Sequence, residues 1–484
     1  MKNFSPFSVL DIGSNSIRLV IYNKKNKSAI PIFNEKTQCG LGKNLSFSKN
    51  LSQDSCSKAF RSIDRYIQIS NSMKAELFIV ATAAIREAED GKDFTNKVNN
   101  KFNVNVNILS SREEARYSSL GVISSFSNPN GVIGDLGGGS LELTSTSDSS
   151  FNRTVTCPLG ILKFEKQLSR KNYLIKKIDS HLDKIDWLVN ERDKSFYAIG
   201  GAWRSLAKVF MNWSKHPISV IHNYEISHKD ALELCKVLSN LNYSLKSMSV
   251  ISKPRRKSLS YSSLLLERIL LKVRPKNIFF SSYGIREGIL YDKLSEEEKK
   301  MDSLIAYCNE ISKDESRFYN NIKKFYSWLL PLLNEFPKAE LRLVNAICLL
   351  SDIAWKIHPN HRSEFAFKRS IFAPFVEVNH KERTYIANAL SERYRGDLDK
   401  SRFNNILKFE ELNRAKIIGT ALDLAYIVSG GGCINISYSR LFFEKNYLCL
   451  SLESDTSNIF NRQCEKKLES LSKLLNCDYK VIKL

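Results

Sequence analysis

The sequence predicts an α/β protein in which two similar units are followed by a mainly helical region, and three observations lead there. An acid near the end of an apolar strand followed by a small-residue turn occurs twice, as Asp11-Ile12-Gly13-Ser14-Asn15-Ser16 and as Asp135-Leu136-Gly137-Gly138-Gly139-Ser140. Between Phe7 and about residue 290, short apolar runs alternate with helical spacing. From Leu304 to Ala425 helical spacing dominates. A chain of 484 residues is too long for one core, and these shifts divide it at 1–126, 127–298 and 299–484.

In chain order, Phe7 to Ile12 and Ile17 to Tyr22 read as two strands joined by the Gly13-Ser14-Asn15 turn. Leu77 to Thr82 is an apolar run that leads into helical spacing at Ala83-Ala84-Ile85-Arg86. Val104 to Leu109 alternates as a half-buried strand does, and Ser110-Ser111 opens a helix through Glu113, Glu114, Leu120 and Val122. The second unit repeats the theme: Val132 to Leu143 is strand, glycine turn, strand. Tyr197 to Ala207, containing Gly200-Gly201-Ala202-Trp203-Arg204, and Ile278 to Gly288 are further strand-to-helix passages. Ser295 to Lys300 reads as a charged linker or helix end, and Cys433 to Tyr438 and Tyr447 to Leu452 as strands of a small terminal sheet.

Hydrophobic residues at 43% and charged residues at 26% describe a soluble globular chain, and no apolar run reaches the roughly 18 residues a membrane span requires. The N-terminus runs straight into the first strand without room for a signal peptide, so a cytoplasmic location without a membrane partner is expected. Ten cysteines without a CxxC pair argue against a zinc site and a disulfide framework. The net charge of +22 would gather an anionic partner. Composition alone does not separate nucleic acid, polyphosphate, a phosphorylated nucleotide or an anionic surface from a generally solvated Lys-rich exterior.

The chemistry begins at the turns, where successive backbone N–H groups form an anion-binding nest. Gly137, Gly138, Gly139 and Ser140 suit that role, with Gly13, Ser14, Asn15 and Ser16 as a second copy. Asp135 and Glu142 are hard oxygen ligands beside the turn, suited to Mg²⁺ that also contacts substrate phosphate. Glu113 and Glu114, at a strand end and helix start, are placed to act on water as a general base. The competing reading is a capping box in which Ser111 caps the helix and Glu114 reaches back. Arg86 is either a bidentate phosphate ligand or a surface arginine paired with Glu87 or Glu89. Lys253-Pro254-Arg255-Arg256-Lys257, with Arg268, Lys272, Arg274 and Lys276, is a polyanion track or a solvated helix face, and Arg286 most simply pairs with Glu287.

Taken in order, these segments resemble the Ppx/GppA family of exopolyphosphatases and guanosine pentaphosphate phosphohydrolases. Asp11 to Ser16 is similar to its first phosphate loop, Ala81-Thr82-Ala83-Ala84-Ile85-Arg86 to its arginine motif, and Glu113-Glu114-Ala115 to its catalytic-glutamate motif. Asp135 to Leu143 resembles the second phosphate loop, and Gly200 to Arg204 and Tyr283 to Gly288 complete the pattern over residues 7 to about 295. The resemblance implies duplicated actin-like domains of the sugar-kinase, ribonuclease H-like type and an HD-like helical C-terminal domain. It implies Glu114 as the base that activates water, and Asp135 and Glu142 as ligands of Mg²⁺ or another divalent cation. The implied phosphate contacts are Arg86, the two turns, Gly201 and Arg204.

It further implies inorganic polyphosphate or guanosine pentaphosphate as substrate, a homodimer, and no specific nucleic-acid partner. Three positions depart from the pattern: Ser111 for the usual Gly, Leu141 for the usual Thr, and Ser351 where the His of a metal-binding His-Asp pair would precede Asp352. The last implies an HD-like fold without its metal, with His358, His361 and His380 structural or in contact with phosphate. Processive removal of terminal phosphate from polyphosphate is the expected activity. Pentaphosphate hydrolysis, a sugar-kinase-like phosphotransfer and a non-catalytic polyanion-binding regulator are the alternatives.

Overall fold

The computed structural model describes residues 6–43, 45–164, 167, 170–240, 249–395, 403, 405–430, 435–453 and 460–483. They form two compact units, Met1–Met301 and Asp302–Leu484.

The first unit holds two sheets. Strands β1 (Phe7–Ile12), β2 (Ser16–Tyr22), β3 (Pro31–Gln38), β4 (Glu76–Ala81) and β5 (Val106–Ile108) lie in the order β3-β2-β1-β4-β5. β1 is antiparallel to β2 and parallel to β4. The second sheet contains β6 (Gly131–Leu136), β7 (Leu141–Ser147), β8 (Ser150–Cys157), β9 (Ser195–Ile199), β10 (Tyr224–Ser227) and β11 (Asn277–Phe280). Read from β8, its order is β8-β7-β6-β9-β11-β10. Antiparallel β7 and β8 flank β6 on one side and parallel β9 on the other, with β11 parallel beyond it. The two sheets therefore share one five-strand plan, to which the second adds antiparallel β10 at the edge.

A central strand buried on both faces must be apolar on both, and β1 is. Leu10 and Ile12 face a core with Ile63 and Tyr66 of helix Gln53–Ser72 and Phe94 and Val98 of helix Gly91–Phe102. Phe7 and Val9 face the opposite way, onto Ile289 and Leu290 of helix Ile285–Asp292. In the second sheet Phe196 packs on fully buried Trp203, whose indole N–H donates to the Ser262 carbonyl at 3.1 Å. Its other face meets Val122 and Phe126 at the end of helix Ser111–Ile123. The helices Ser111–Ile123 and Ile285–Asp292 cross backbone to backbone. A Cβ on Gly288 would lie 1.8 Å from the Tyr117 carbonyl oxygen, so this crossing admits only glycine there.

The second unit packs helices including Ser303–Glu315, Lys338–Leu350, His380–Arg393 and Phe409–Val428 with a small sheet. That sheet is β12 (Ser439–Glu444), β13 (Tyr447–Leu452) and β14 (Asp478–Lys483), in chain order. One expectation is corrected here: Asn435–Tyr438 is a 3₁₀ turn, whereas Cys433 and Ile434 lie outside the described residues. Buried Asp352, 1% exposed, accepts from Arg317 through Nη2 at 2.6 Å, Nε at 3.1 Å and the backbone N–H at 2.9 Å. Ser351 shares a hydrogen bond with Tyr426. His358 and His361 are exposed, and His380 is buried at a helix start. The nine described cysteines form no disulfide. Among the described residues no helix is long and apolar enough to cross a membrane.

Candidate active site

The two turns are built alike. Gly13 N–H donates to the Ser16 carbonyl at 3.1 Å and Gly137 N–H to that of Ser140 at 3.0 Å, so each hairpin closes over the same number of residues. Carbonyls in the turns are satisfied from outside: Ser14 by Gly42, Asn15 by Cys39 and Gly40, Gly137 by Ile161, and Gly138 by Leu162. The amides of Ser14, Asn15, Gly138 and Gly139 donate to no backbone carbonyl among the described residues. These are the free donors an anion nest requires. The turns also face each other, since a Cβ on Gly138 would lie 3.1 Å from that of Ser14.

Glutamates 113 and 114 divide their roles. Ser110, extended at φ −63° and ψ 159°, caps helix Ser111–Ile123, and Glu113 reaches back to the Ser110 N–H at 2.8 Å. This corrects the expected capping box by one residue: Ser111 is inside the helix and Glu114 is not the box acid. Glu114 lies one helical position further round, 7% exposed, on the cleft wall. Arg86, from the short helix Ala83–Glu87 after β4, donates its Nη1 to Glu114 Oε2 at 2.9 Å and to the Leu109 carbonyl at 2.8 Å. The arginine thus pairs with neither Glu87 nor Glu89, and it is absent from the residues lining the cleft. Burial pushes the Glu114 carboxyl up to about 7, against the pull of Arg86 and with help from Asp135 and Asp11.

One turn along the same helix, the Ser118 hydroxyl donates to Asp135 Oδ2. Asp135 faces Glu142 directly across β6 and β7. Glu142 is 2% exposed, and neither carboxylate oxygen has a hydrogen-bond partner among the described residues. Burial first, then Glu114 and Asp135, hold its pKa well above the ordinary carboxylate value, and the nearby Ser140 and Arg86 offset this only in part. Unpartnered buried oxygens among like charges are costly unless a cation joins them. Asp135 and Glu142 therefore fit a hard divalent cation. Among the described residues no group of three His, Cys, Asp or Glu side chains is assembled as a cage.

The remaining wall is cationic, in a cleft of about 350 Å³ lined by both turns, Gly200, Gly201 and Glu114. Arg204 donates to the Ser282 carbonyl at 3.0 Å, and burial followed by Arg286 and Arg18 brings its pKa down to about 10. Four further cations line the cleft that sequence reasoning did not place there: Arg18, Lys36, Arg255 and Arg286. Arg286 crosses to Asp11 at 3.2 Å and lies 4.0 Å from Glu287, which instead accepts from Tyr22 at 2.8 Å and the Gly284 N–H at 2.9 Å. Of the basic run, Arg255 reaches the wall, whereas Arg268 and Lys272 pair with Asp179 and Asp183. It is not a continuous track.

Residues 20–297 match the model of the Ppx/GppA phosphatase family, and residues 332–482 match that of the exopolyphosphatase C-terminal region. Retrograde regulation protein 2 of Saccharomyces cerevisiae is 23% identical over 448 residues, covering 81% of this chain and 73% of that protein. Exopolyphosphatase 1 of Mycobacterium tuberculosis is 30% identical over 156 residues, 31% of this chain and 45% of that protein. The crystal structure of the Aquifex aeolicus Ppx/GppA family member superimposes with a TM-score of 0.52 at 19% identity, covering 62% of this chain and 100% of that one. The fold is that of duplicated actin-like domains followed by a mostly helical C-terminal region, and the chain belongs to the Ppx/GppA phosphatase family.

Proposed function

We propose that the chain is an exopolyphosphatase that removes terminal phosphate groups from inorganic polyphosphate one after another, using water activated by Glu114. The observation that carries this reading is that one buried, Arg86-held carboxylate lines the same cation-rich cleft as two opposed amide-lined turns. A base with a pKa near 7 is deprotonated in a useful fraction at neutral pH and still accepts a proton.

Glu114 takes a proton from a water molecule whose oxygen attacks the terminal phosphorus. The bond from that phosphorus to the bridging oxygen breaks, which leaves orthophosphate and a chain shorter by one unit. Arg86 fixes the direction of the Glu114 carboxylate, and Ser118 does the same for Asp135. The turn amides hold non-bridging oxygens, so the reaction is served mainly by positioning and charge neutralisation. Held by Asp135 and Glu142, Mg²⁺ would supply neutralisation of phosphate charge.

Among the described wall residues none is aromatic, which favours a bare phosphate chain over a nucleotide whose base would stack. The mycobacterial relative's name agrees with that choice. A non-catalytic, polyanion-binding role is the second reading, favoured by the yeast relative, a regulation protein by name, whose match covers most of this chain. Orthophosphate release from polyphosphate and from guanosine pentaphosphate, measured side by side with Mg²⁺, tests both. Turnover confined to the nucleotide replaces the substrate, and turnover of neither supports the binder.

A further inference from the structure

The two sheets place matched rows of residues at the cleft, and the rows differ in charge. In the second sheet the cross-strand row is Asp135, Glu142 and Thr156 on β6, β7 and β8. The equivalent row in the first is Asp11, Arg18 and Lys36 on β1, β2 and β3. Asp11 is bonded to Arg286, and Arg18 donates its Nε to Asn34 Oδ1 at 2.8 Å. Lys36 lies on the edge strand β3, and its side chain lines the cleft.

Burial and the positive charges of Arg255, Arg204, Arg18 and Arg286 act against the charged form of Lys36, and the Asp11 carboxylate in the same row is the negative charge it also feels. Burial by the surrounding walls, the larger cause, and the four cations bring its pKa down to about 8. Arg255 belongs to the opposite lobe, where its Nη1 is anchored by the Gly201 carbonyl and by Ser205 Oγ at 3.1 Å. Lys36 and Arg255 line the same cleft, and an anion held between two such cations is attracted by both.

We infer that Lys36 and Arg255 form an anion subsite distinct from the two turns, which holds a phosphate group of the substrate chain beyond the one being released. The inference rests on the phosphohydrolase reading and adds a specificity-determining role: the cleft selects for a second, distal phosphate rather than for a terminal phosphoryl group alone.

The test is binding of sodium tripolyphosphate and of orthophosphate by the full chain in a Glu114→Gln background, by calorimetry at fixed salt, so that turnover is not required. Lys36→Ala weakens tripolyphosphate binding by about tenfold, the loss of one charge-assisted contact, while orthophosphate binding changes by less than roughly twofold. Lys36→Arg restores tripolyphosphate binding. An unchanged tripolyphosphate affinity overturns the subsite, as does an equal loss for both anions, which would make Lys36 part of a general field. Lys36→Gln, which keeps the length of the side chain, serves if the alanine variant does not fold. Failure of the wild type to release phosphate, with Lys36-dependent tripolyphosphate binding intact, would refute the hydrolytic reading and leave the subsite standing.

Discussion

Replacing Glu114 by Gln removes the proposed base and, by the same substitution, stabilises the metal-free protein at neutral pH. Burial lifts this carboxyl from 4.5 to about 7 even with Arg86 bound to it. At about 1.4 kcal/mol per pH unit, holding it ionised costs the folded state roughly 3 kcal/mol. The folded pKa lies above the unfolded one, so the folded state binds more protons between about 4.5 and 7, and wild-type stability falls as pH rises through that window. A glutamine carries no charge and still accepts from Arg86. The variant is therefore close to wild type near pH 4.5, gains steadily to pH 7, and above it keeps a constant advantage of roughly 6 °C in apparent melting temperature. Scanning calorimetry of both proteins from pH 4.5 to 8.5, without and with Mg²⁺, reads this directly, and phosphate release drops about 100-fold or more. Mg²⁺ narrows the gap, because it supplies the charge the wild-type carboxylate cluster lacks. An advantage already complete at pH 5, or none at pH 8, would refute the burial argument.

Ser118→Ala leaves Asp135 without its hydroxyl donor and raises the Mg²⁺ concentration for half-maximal phosphate release by about tenfold. Gly288→Ala forces a Cβ against the Tyr117 carbonyl and costs the first unit about 2 kcal/mol, seen as a lowered first transition in thermal unfolding. Arg317→Ala leaves Asp352 buried and unpaired and costs the second unit about 3–5 kcal/mol in chemical denaturation, while Arg317→Lys recovers only part because it cannot reproduce the bidentate contact.

The paired turns were legible in the sequence because each writes its whole chemistry within a few consecutive residues: acid, glycine, small polar side chains. The division between Glu113 and Glu114 was harder, since Ser110 and Ser111 offer the same cap and only the backbone angle at Ser110 decides which one serves. A single position separates a structural glutamate from one facing the cleft, because successive helical residues point about 100° apart. Arg18 left a signal that hairpin register would have revealed: a four-residue closure at Gly13 to Ser16 sets it opposite Asp11. Lys36 left none, and Arg255 and Arg286 stood out only as members of a basic run and of the Tyr283 to Gly288 segment, for their approach to the cleft depends on strands, helices and lobes far apart in the chain. The choice left open for residues 253–276, polyanion track or solvated face, could not be made from sequence for a related reason, since partners such as Asp179 lie about 90 residues upstream.

Positions 18 and 142 occupy the same place in the two repeats, yet one is arginine and the other glutamate. A linear polyphosphate reads identically from either end, so the substrate brings no head or tail for an enzyme to recognise. Two identical jaws would hold it equally well in both orientations. The sign reversal at this pair of sites breaks that equivalence: one repeat offers a carboxylate suited to a cation and the other a guanidinium suited to an anion. If the chain hydrolyses polyphosphate as proposed, this difference between the repeats is what lets the cleft tell the end being cut from the chain behind it.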